Sequence, residues 1–362
     1  MSDVALLRAI LRAMHGMRAG AAMAPLTRGA GVIFTLHHVR PEPPPAFSPN
    51  RILAITPTFL EQMIEHVLGA GYDVIRLDDI PRRLAEPAST RRFACFTFDD
   101  GYRDNHDHAL PVFERYGLPL AIYVTSEFAD GTGDLWWLAL EEAIRRLDTV
   151  DIEMPRAPHR LPARTLAEKV ATFDAIYWHL RSLPEDQTRA QTAALCRRAG
   201  YDPRGLSREL AMGWPELRAL SSHPLVTVGA HTVGHWALAK LPLEDARRQL
   251  MQSMARLEAE TGQPCRHFSF PYGDETSAGA REFELARSAG LRTAVTTRKG
   301  LIHAHHAQEI TALPRLSLNG DYQDIRHLEV LLTGAPFALL DMASRMRQTA
   351  ARVLKGRSAA ST

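Results

Sequence analysis

Residues 93–101 read Phe93-Ala94-Cys95-Phe96-Thr97-Phe98-Asp99-Asp100-Gly101. An apolar strand ends here in two adjacent carboxylates and a glycine that lets the backbone turn sharply. In barrels of parallel strands, catalytic groups sit at the carboxyl ends of the strands. Adjacent side chains diverge, so one carboxylate can bind a metal while its neighbour stays free as a base. Asp78-Asp79 also follows a strand, but a helix begins there at once, so N-capping accounts for that pair.

The same alternation extends in both directions. Gly31–Leu36 reads as a strand, and a proline-rich loop follows from Pro41 to Pro49. Thr56-Pro57 opens a helix, with threonine as N-cap and proline in the first turn. Strands are expected over 74–77, 120–125, 226–229, 267–270, 293–296 and 314–318. Helices are expected over 108–116, 243–260 and 278–289. Strands alternating with helices predict an α/β fold: a (β/α) barrel of seven or eight mostly parallel strands. Residues 131–212 break the rhythm. They are helical and charged, carry Trp136, Trp137 and Trp178, and read as an insertion beside the barrel mouth, where Trp136 is a candidate substrate contact. The expected organisation is an amphipathic N-terminal helix over 1–28, the barrel over 29–335, and a basic helix or tail over 336–362.

Composition limits what this barrel does. A chain of 362 residues that is 45% apolar and 23% charged is an ordinary globular protein. Its formal charge of +2 is too small for a dedicated nucleic-acid binder. Cys95, Cys196 and Cys265 lie far apart without paired spacing, which suggests a reducing compartment. No apolar run reaches the roughly 18 residues of a membrane span.

Two further segments carry chemistry. His231-Thr232-Val233-Gly234-His235 follows a strand, and histidines four apart on a helical turn reach one ion together. With Asp100 they make a two-histidine, one-carboxylate site with open coordination positions, suited to zinc hydrolysis and also used by non-haem iron. Phe268-Ser269-Phe270-Pro271-Tyr272-Gly273 is a strand entering a rigid turn, which aims a backbone N–H at a developing oxyanion and sets an aromatic wall beside it. His303, His305 and His306 fall in a loop, and His106 and His108 at a helix start, where solvation explains them.

Together and in this order, the three segments resemble the polysaccharide deacetylase family, built on the NodB homology domain. The likeness covers about Gly31 to Gly334 and implies a distorted barrel of parallel strands. Carried over by position, it implies that Asp100, His231 and His235 hold one divalent metal. Zinc is the first choice, with cobalt, nickel, manganese or iron as alternatives. It implies Asp99 as general base and the Tyr272 N–H as an oxyanion donor, with Pro271 and Tyr272 beside the substrate. The implied reaction is removal of N-acetyl groups from a sugar polymer, an oligosaccharide or a lipid-linked saccharide, releasing acetate. Two positions depart from the pattern. Ser269 stands where the third motif commonly carries an arginine, and Arg315 in Leu313-Pro314-Arg315-Leu316 is the replacement from another strand. The C-terminal leucine–histidine motif is absent. In the branch with a permuted order its histidine lies on the first strand, where Leu36-His37-His38 stands. His37 is therefore the candidate general acid, kept protonated near neutral pH, and strand alternation sends His38 the other way.

Deformylation of an amino sugar, cyclic-amide hydrolysis and a carbohydrate-binding pseudoenzyme are the competing readings; the metal triad argues against the last. The ends of the chain point to location. Leu7, Ile10, Leu11, Met14 and Met17 recur at helical spacing, with Arg8, Arg12 and Arg18 among them, and Arg345, Arg347, Arg352, Lys355 and Arg357 crowd the C-terminus. An uninterrupted signal-peptide core is missing. The expectation is a cytoplasmic enzyme whose N-terminal helix docks on the body of the protein, with peripheral contact to the inner membrane face through the basic ends as the alternative.

Overall fold

Eight parallel strands make the frame: β1 (Gly31–Leu36), β2 (Asp73–Val74), β3 (Phe93–Phe98), β4 (Leu120–Val124), β5 (Val226–Ala230), β6 (His267–Ser269), β7 (Thr293–Lys299) and β8 (Leu313–Ser317). They belong to a computed structural model that describes residues 3–86, 91–155, 160–342 and 346. The hydrogen-bonded order is β1-β8-β7-β6-β5-β4-β3, and β1 pairs with β3 to close a ring of seven. The strand β2 hangs outside that ring on the lower edge of β3, opposite Phe93 and Ala94. The architecture is the α/β barrel that the alternation predicts.

Helices α1 (Asp3–Gly16) and α2 (Ala19–Thr27) precede the ring. After β1 comes α3 (Pro57–Gly69), whose N-cap Thr56 accepts the Phe59 N–H at 3.1 Å, a bond worth about 1 kcal/mol. Between β4 and β5 run α4 (Trp136–Arg146), α5 (Leu166–Ser182) and α6 (Glu185–Arg198). Later come α7 (Leu243–Thr261) and α8 (Ile325–Leu332).

The strand side chains alternate between two cores. Ile33, Cys95, Ala121, Tyr123, Val295 and Leu313 fill the barrel. Val32, Phe34, Leu36, Phe96, Phe98 and Ile122 pack outward against Leu60, Met63, Ile64 and Leu250 of the surrounding helices. Both faces are buried, which is why the strands read as continuous apolar runs. The same period of two positions the chemistry. Ile33, Thr35 and His37 share a face, as do Cys95, Thr97 and Asp99, so His37 and Asp99 extend the inward rows into the mouth.

The helices α4, α5 and α6 build a third core, with Trp136, Trp137, Phe173, Ile176, Leu180 and Leu195, and this core reaches Tyr102 and Tyr272 at the mouth. Arg8 of α1 meets Asp321 at 3.2 Å and His15 meets Glu329 at 2.7 Å. No helix among the described residues is long and apolar enough to cross a membrane. Of the C-terminal segment expected to be basic and helical, residues 336–342 are helical, and 343–345 and 347–362 lie outside the described residues.

Two local readings are corrected. Asp78 and Asp79 do not cap a helix: Asp79 stands at the N-cap but its side chain makes no capping bond. Asp79 instead pairs with Arg82 at 3.2 Å, and Asp78 lies 3.4 Å from His267 Nε2. Nor is 231–235 a helical turn. It is a loop in which Thr232 (φ 64°) and His235 (φ 57°) are left-handed. The histidines converge through these two backbone reversals rather than through helical spacing.

Candidate metal and catalytic centre

The site forms where β3, β5, β6 and β8 end. The β3 run stops at Asp99, and Asp100 takes a left-handed φ of 74°, with Gly101 at 70°. That turn ends the alternation and brings the Asp100 carboxylate towards the loop after β5. Asp100 Oδ1 lies 3.3 Å from His235 Nε2 and 3.5 Å from His231 Nε2. One donor atom from each of the three residues falls within 4.8 Å of the others, and all three are buried.

These residues fit a divalent cation. Asp100 Oδ1 is buried and has no hydrogen-bond partner among the described residues. Burial first, then the charge of Asp99, pushes its carboxyl well above the usual range, as expected of an anion awaiting a counter-charge. His231 Nδ1–H donates to the Ser269 carbonyl at 2.6 Å, which turns the Nε2 lone pair inward. Burial holds both imidazoles below their ordinary pKa, so they are in the neutral form that binds metals. Tyr102 is buried beside this set, and burial first, then Asp100, pushes its hydroxyl up.

Asp99 faces the other way and meets Arg315. The guanidinium clamps it with two bonds, Nη1 to Oδ1 at 2.8 Å and Nη2 to Oδ2 at 2.6 Å. It also reaches Thr97 Oγ1 (3.0 Å), Ser269 Oγ (2.9 Å) and the Thr296 carbonyl (2.8 Å). Burial alone would raise the Asp99 pKa; the charge and hydrogen bonds of Arg315, with His231 and His37, hold it well below the usual carboxylate range. The balance keeps the Asp99 carboxyl ionised near neutral pH. Ser269, the position that departs from the motif, bridges the two partners and donates to Asp99 at 3.3 Å.

His37 stands beside Asp99, because β1 and β3 pair in the register Leu36↔Phe98 and the Asp99 N–H donates to the Leu36 carbonyl. Its ring is only partly exposed. Burial lowers its pKa to about 4, with Arg315, His38 and His231 acting in the same direction and Asp99 against them. The imidazole is therefore neutral at pH 7 in the substrate-free protein, where the sequence reading has it protonated. His38 points away: its Nδ1 lies 2.6 Å from Asp104 Oδ2, and its ring stacks on Tyr102 with centroids 3.6 Å apart.

The third motif supplies the wall. Tyr272 is left-handed (φ 61°), as is Gly273 (φ 62°), where a Cβ would come within 2.5 Å of Thr297 N. The Tyr272 ring meets His235 edge-on at 4.7 Å, and its backbone N–H donates to no group among the described residues. Pro271, before it, is buried in the same turn. Trp136 is fully buried behind this wall rather than at the opening. Its Nε1–H donates to the Tyr272 hydroxyl at 2.7 Å and its ring stacks on Tyr177. Arg181 of α5, absent from the sequence reading, lays its guanidinium 3.7 Å from the Tyr272 ring centre and bonds Asp274 and Ser277. No local motif marks Arg181, because its role depends on how the inserted helices fold back over the turn.

Residues 87–294 match the family profile described as polysaccharide deacetylase. No curated protein matches the chain by sequence. Among solved structures, the chain is similar to a polysaccharide deacetylase from Bacillus cereus, at 14% identity over 83% of this chain and 68% of that one, with a TM-score of 0.52. It is also similar to IcaB from Ammonifex degensii, at 16% identity over 84% of this chain and 97% of that one, with a TM-score of 0.50. At such identities the likeness is one of fold.

Proposed function

This chain belongs to the polysaccharide deacetylase family and acts on N-acetyl amide bonds, and on that premise we propose a metal-dependent N-deacetylase of an N-acetylated glycan. The observation that carries the reading is the division of labour between adjacent aspartates. Asp100 joins His231 and His235 in a set of donors able to hold one cation, while Asp99 is clamped by Arg315 and stays out of it.

Asp100, His231 and His235 would hold the ion, and two nitrogens with one oxygen make zinc the first candidate. When bound, such an ion polarises the acetamide carbonyl and acidifies the attacking water. Asp99 takes the proton of that water. Arg315 keeps Asp99 ionised and fixes which oxygens point at the cavity, so Arg315 is a positioning residue. The Tyr272 N–H faces the acetamide oxygen as negative charge develops on it. Trp136 and Arg181 hold the Tyr272 ring, and with it the turn, and Pro271 limits the turn's freedom. His37 protonates the departing amine. Because it rests neutral, it delivers a proton gained within the cycle, passed on from the neighbouring Asp99.

The buried, unpaired thiols of Cys95, Cys196 and Cys265 support a cytoplasmic location. Acetate release from N-acetylated chitooligosaccharides, measured with and without a chelator and after zinc is returned, tests the reading. Release that a chelator leaves untouched defeats metal dependence. Binding of the sugar without release of acetate makes the protein a carbohydrate binder.

A further inference from the structure

An amphipathic helix that docks on a protein turns its apolar side inward. Helix α1 does the reverse. Arg8 and His15 face the body, where they pair with Asp321 and Glu329, and Leu11 alone of its large apolar residues is buried. Leu6, Leu7, Ile10 and Met17 face outward, 38–69% exposed, and Leu26 of α2 is 90% exposed. The helical residues 335–342 begin where the Thr27 hydroxyl donates to the Thr333 carbonyl at 2.6 Å, and they expose Leu339, Leu340 and Met342. Of the sixteen large apolar side chains exposed among the described residues, nine belong to these terminal segments. Scattered exposed leucines need no explanation, but a concentration of this kind does.

The charge is distributed the same way. Residues 1–28 hold Arg8, Arg12, Arg18 and Arg28 against Asp3, and residues 335–362 hold Arg345, Arg347, Arg352, Lys355 and Arg357 against Asp341. The two ends together carry an excess of seven positive charges in a chain of formal charge +2, which leaves the remainder at −5. Arg12 and Arg18 are exposed beside the apolar stripe. A second copy docking by this face would set arginine against arginine, and the chain's own C-terminal segment carries the same sign. An anionic bilayer complements both features: lipid tails cover the leucines and headgroups take the arginines.

We propose that α1 and α2, joined by the helical segment after Gly334, form an interfacial anchor that lies in the surface of an anionic membrane. The anchor is independent of the chemistry at the barrel mouth. Arg8 meets the loop that follows the carboxyl end of β8, while α2 and the helical segment meet just before the start of β1, so the face runs along the side of the barrel.

The test uses the full chain and sedimentation with vesicles, either pure phosphatidylcholine or phosphatidylcholine mixed with phosphatidylglycerol. The protein should pellet with the anionic vesicles, bind the neutral ones far less, and be partly released by salt. Leu7→Asp/Ile10→Asp should lower partitioning at least about tenfold, since two leucine-sized side chains leave the lipid. Arg12→Gln and Arg18→Gln should each lower it about fivefold on anionic vesicles only. All four positions are exposed, so unchanged thermal melting shows that the fold survives. Failure of the wild-type chain to bind anionic vesicles, or equal binding by Leu7→Asp/Ile10→Asp, overturns the proposal. A dimer that this variant splits, with vesicles unbound, assigns the face to a second copy and overturns it as well.

Discussion

Replacing Arg315 with methionine should turn Asp99 from a permanent carboxylate into one that holds its proton near neutral pH. Arg315 is 1% exposed and engages all five of its N–H groups, two of them on Asp99. Methionine fills most of the stem's volume and supplies none of these donors. Asp99 would keep only the Ser269 hydroxyl at 3.3 Å, and removing one partner of a buried pair costs about 3–5 kcal/mol. For 362 residues, an unfolding entropy of about 2.1 cal/mol/K per residue makes that a fall in Tm of roughly 4–7 °C.

The pH dependence is more diagnostic than the fall itself. In the wild type the folded pKa of Asp99 lies below the unfolded value of about 3.9. Its contribution to stability is therefore present above that value and lost only as acid carries the pH down through the folded pKa. In the variant, burial acts without the guanidinium, the folded pKa rises above the unfolded one, and stability is lost as pH rises instead. Calorimetry of chelator-treated protein from about pH 5 to about pH 8 should show the gap in Tm between wild type and variant widening with pH. Arg315→Lys, which keeps one charge but not the fork, should fall between the two. In the loaded enzyme, the acidic limb of kcat/KM should move up for Arg315→Met. A gap in Tm that is constant or narrows with pH would refute the assignment of Arg315 as the group that keeps Asp99 ionised.

Three other substitutions separate the roles at the site. Asp99→Asn should keep its metal and lose roughly 10²–10⁴-fold in rate, the usual worth of a general base; loss of metal would mean that the two aspartates exchange roles. His235→Ala should bind far less zinc by elemental analysis, and wild-type metal content in that variant would remove His235 from the ligand set. His37→Ala should lower kcat on an N-acetyl sugar by about 10²-fold or more at unchanged metal content, yet cost little on an aryl acetate whose leaving group needs no proton. Equal losses on both substrates would show that His37 does not protonate the amine. His38→Ala, which loses the bond to Asp104 and the stack on Tyr102, should lower Tm more than it lowers kcat.

Several features follow from local chain geometry alone. Continuous apolar runs along 31–36 and 93–98 identify β1 and β3 as strands, and the strand period of two assigns His37 and His38 to opposite sides before any contact is known. Proline after Thr56 marks the start of α3 for the same local reason. The Asp99-Asp100-Gly101, His231–His235 and Pro271–Gly273 segments are likewise legible, since each follows a strand end.

Which groups meet, and in what state, depends on packing between distant parts of the chain. Arg315 lies 216 residues from Asp99, and the two meet because β1 pairs with both β3 and β8 when the ring closes. The convergence of His231 and His235 depends on left-handed residues in a loop, where the spacing alone suggested a helix. Trp136 is aromatic and near the mouth in either view, yet its place behind Tyr272 follows from how α4 and α5 pack. The neutral resting state of His37 is a sum of burial and charges from four strands, and the outward apolar face of α1 reflects ion pairs with partners more than 300 residues away. Periodicity is a property of neighbours along the chain. Desolvation, charge pairing and the choice between two faces of a helix are set by what the closed barrel brings beside them.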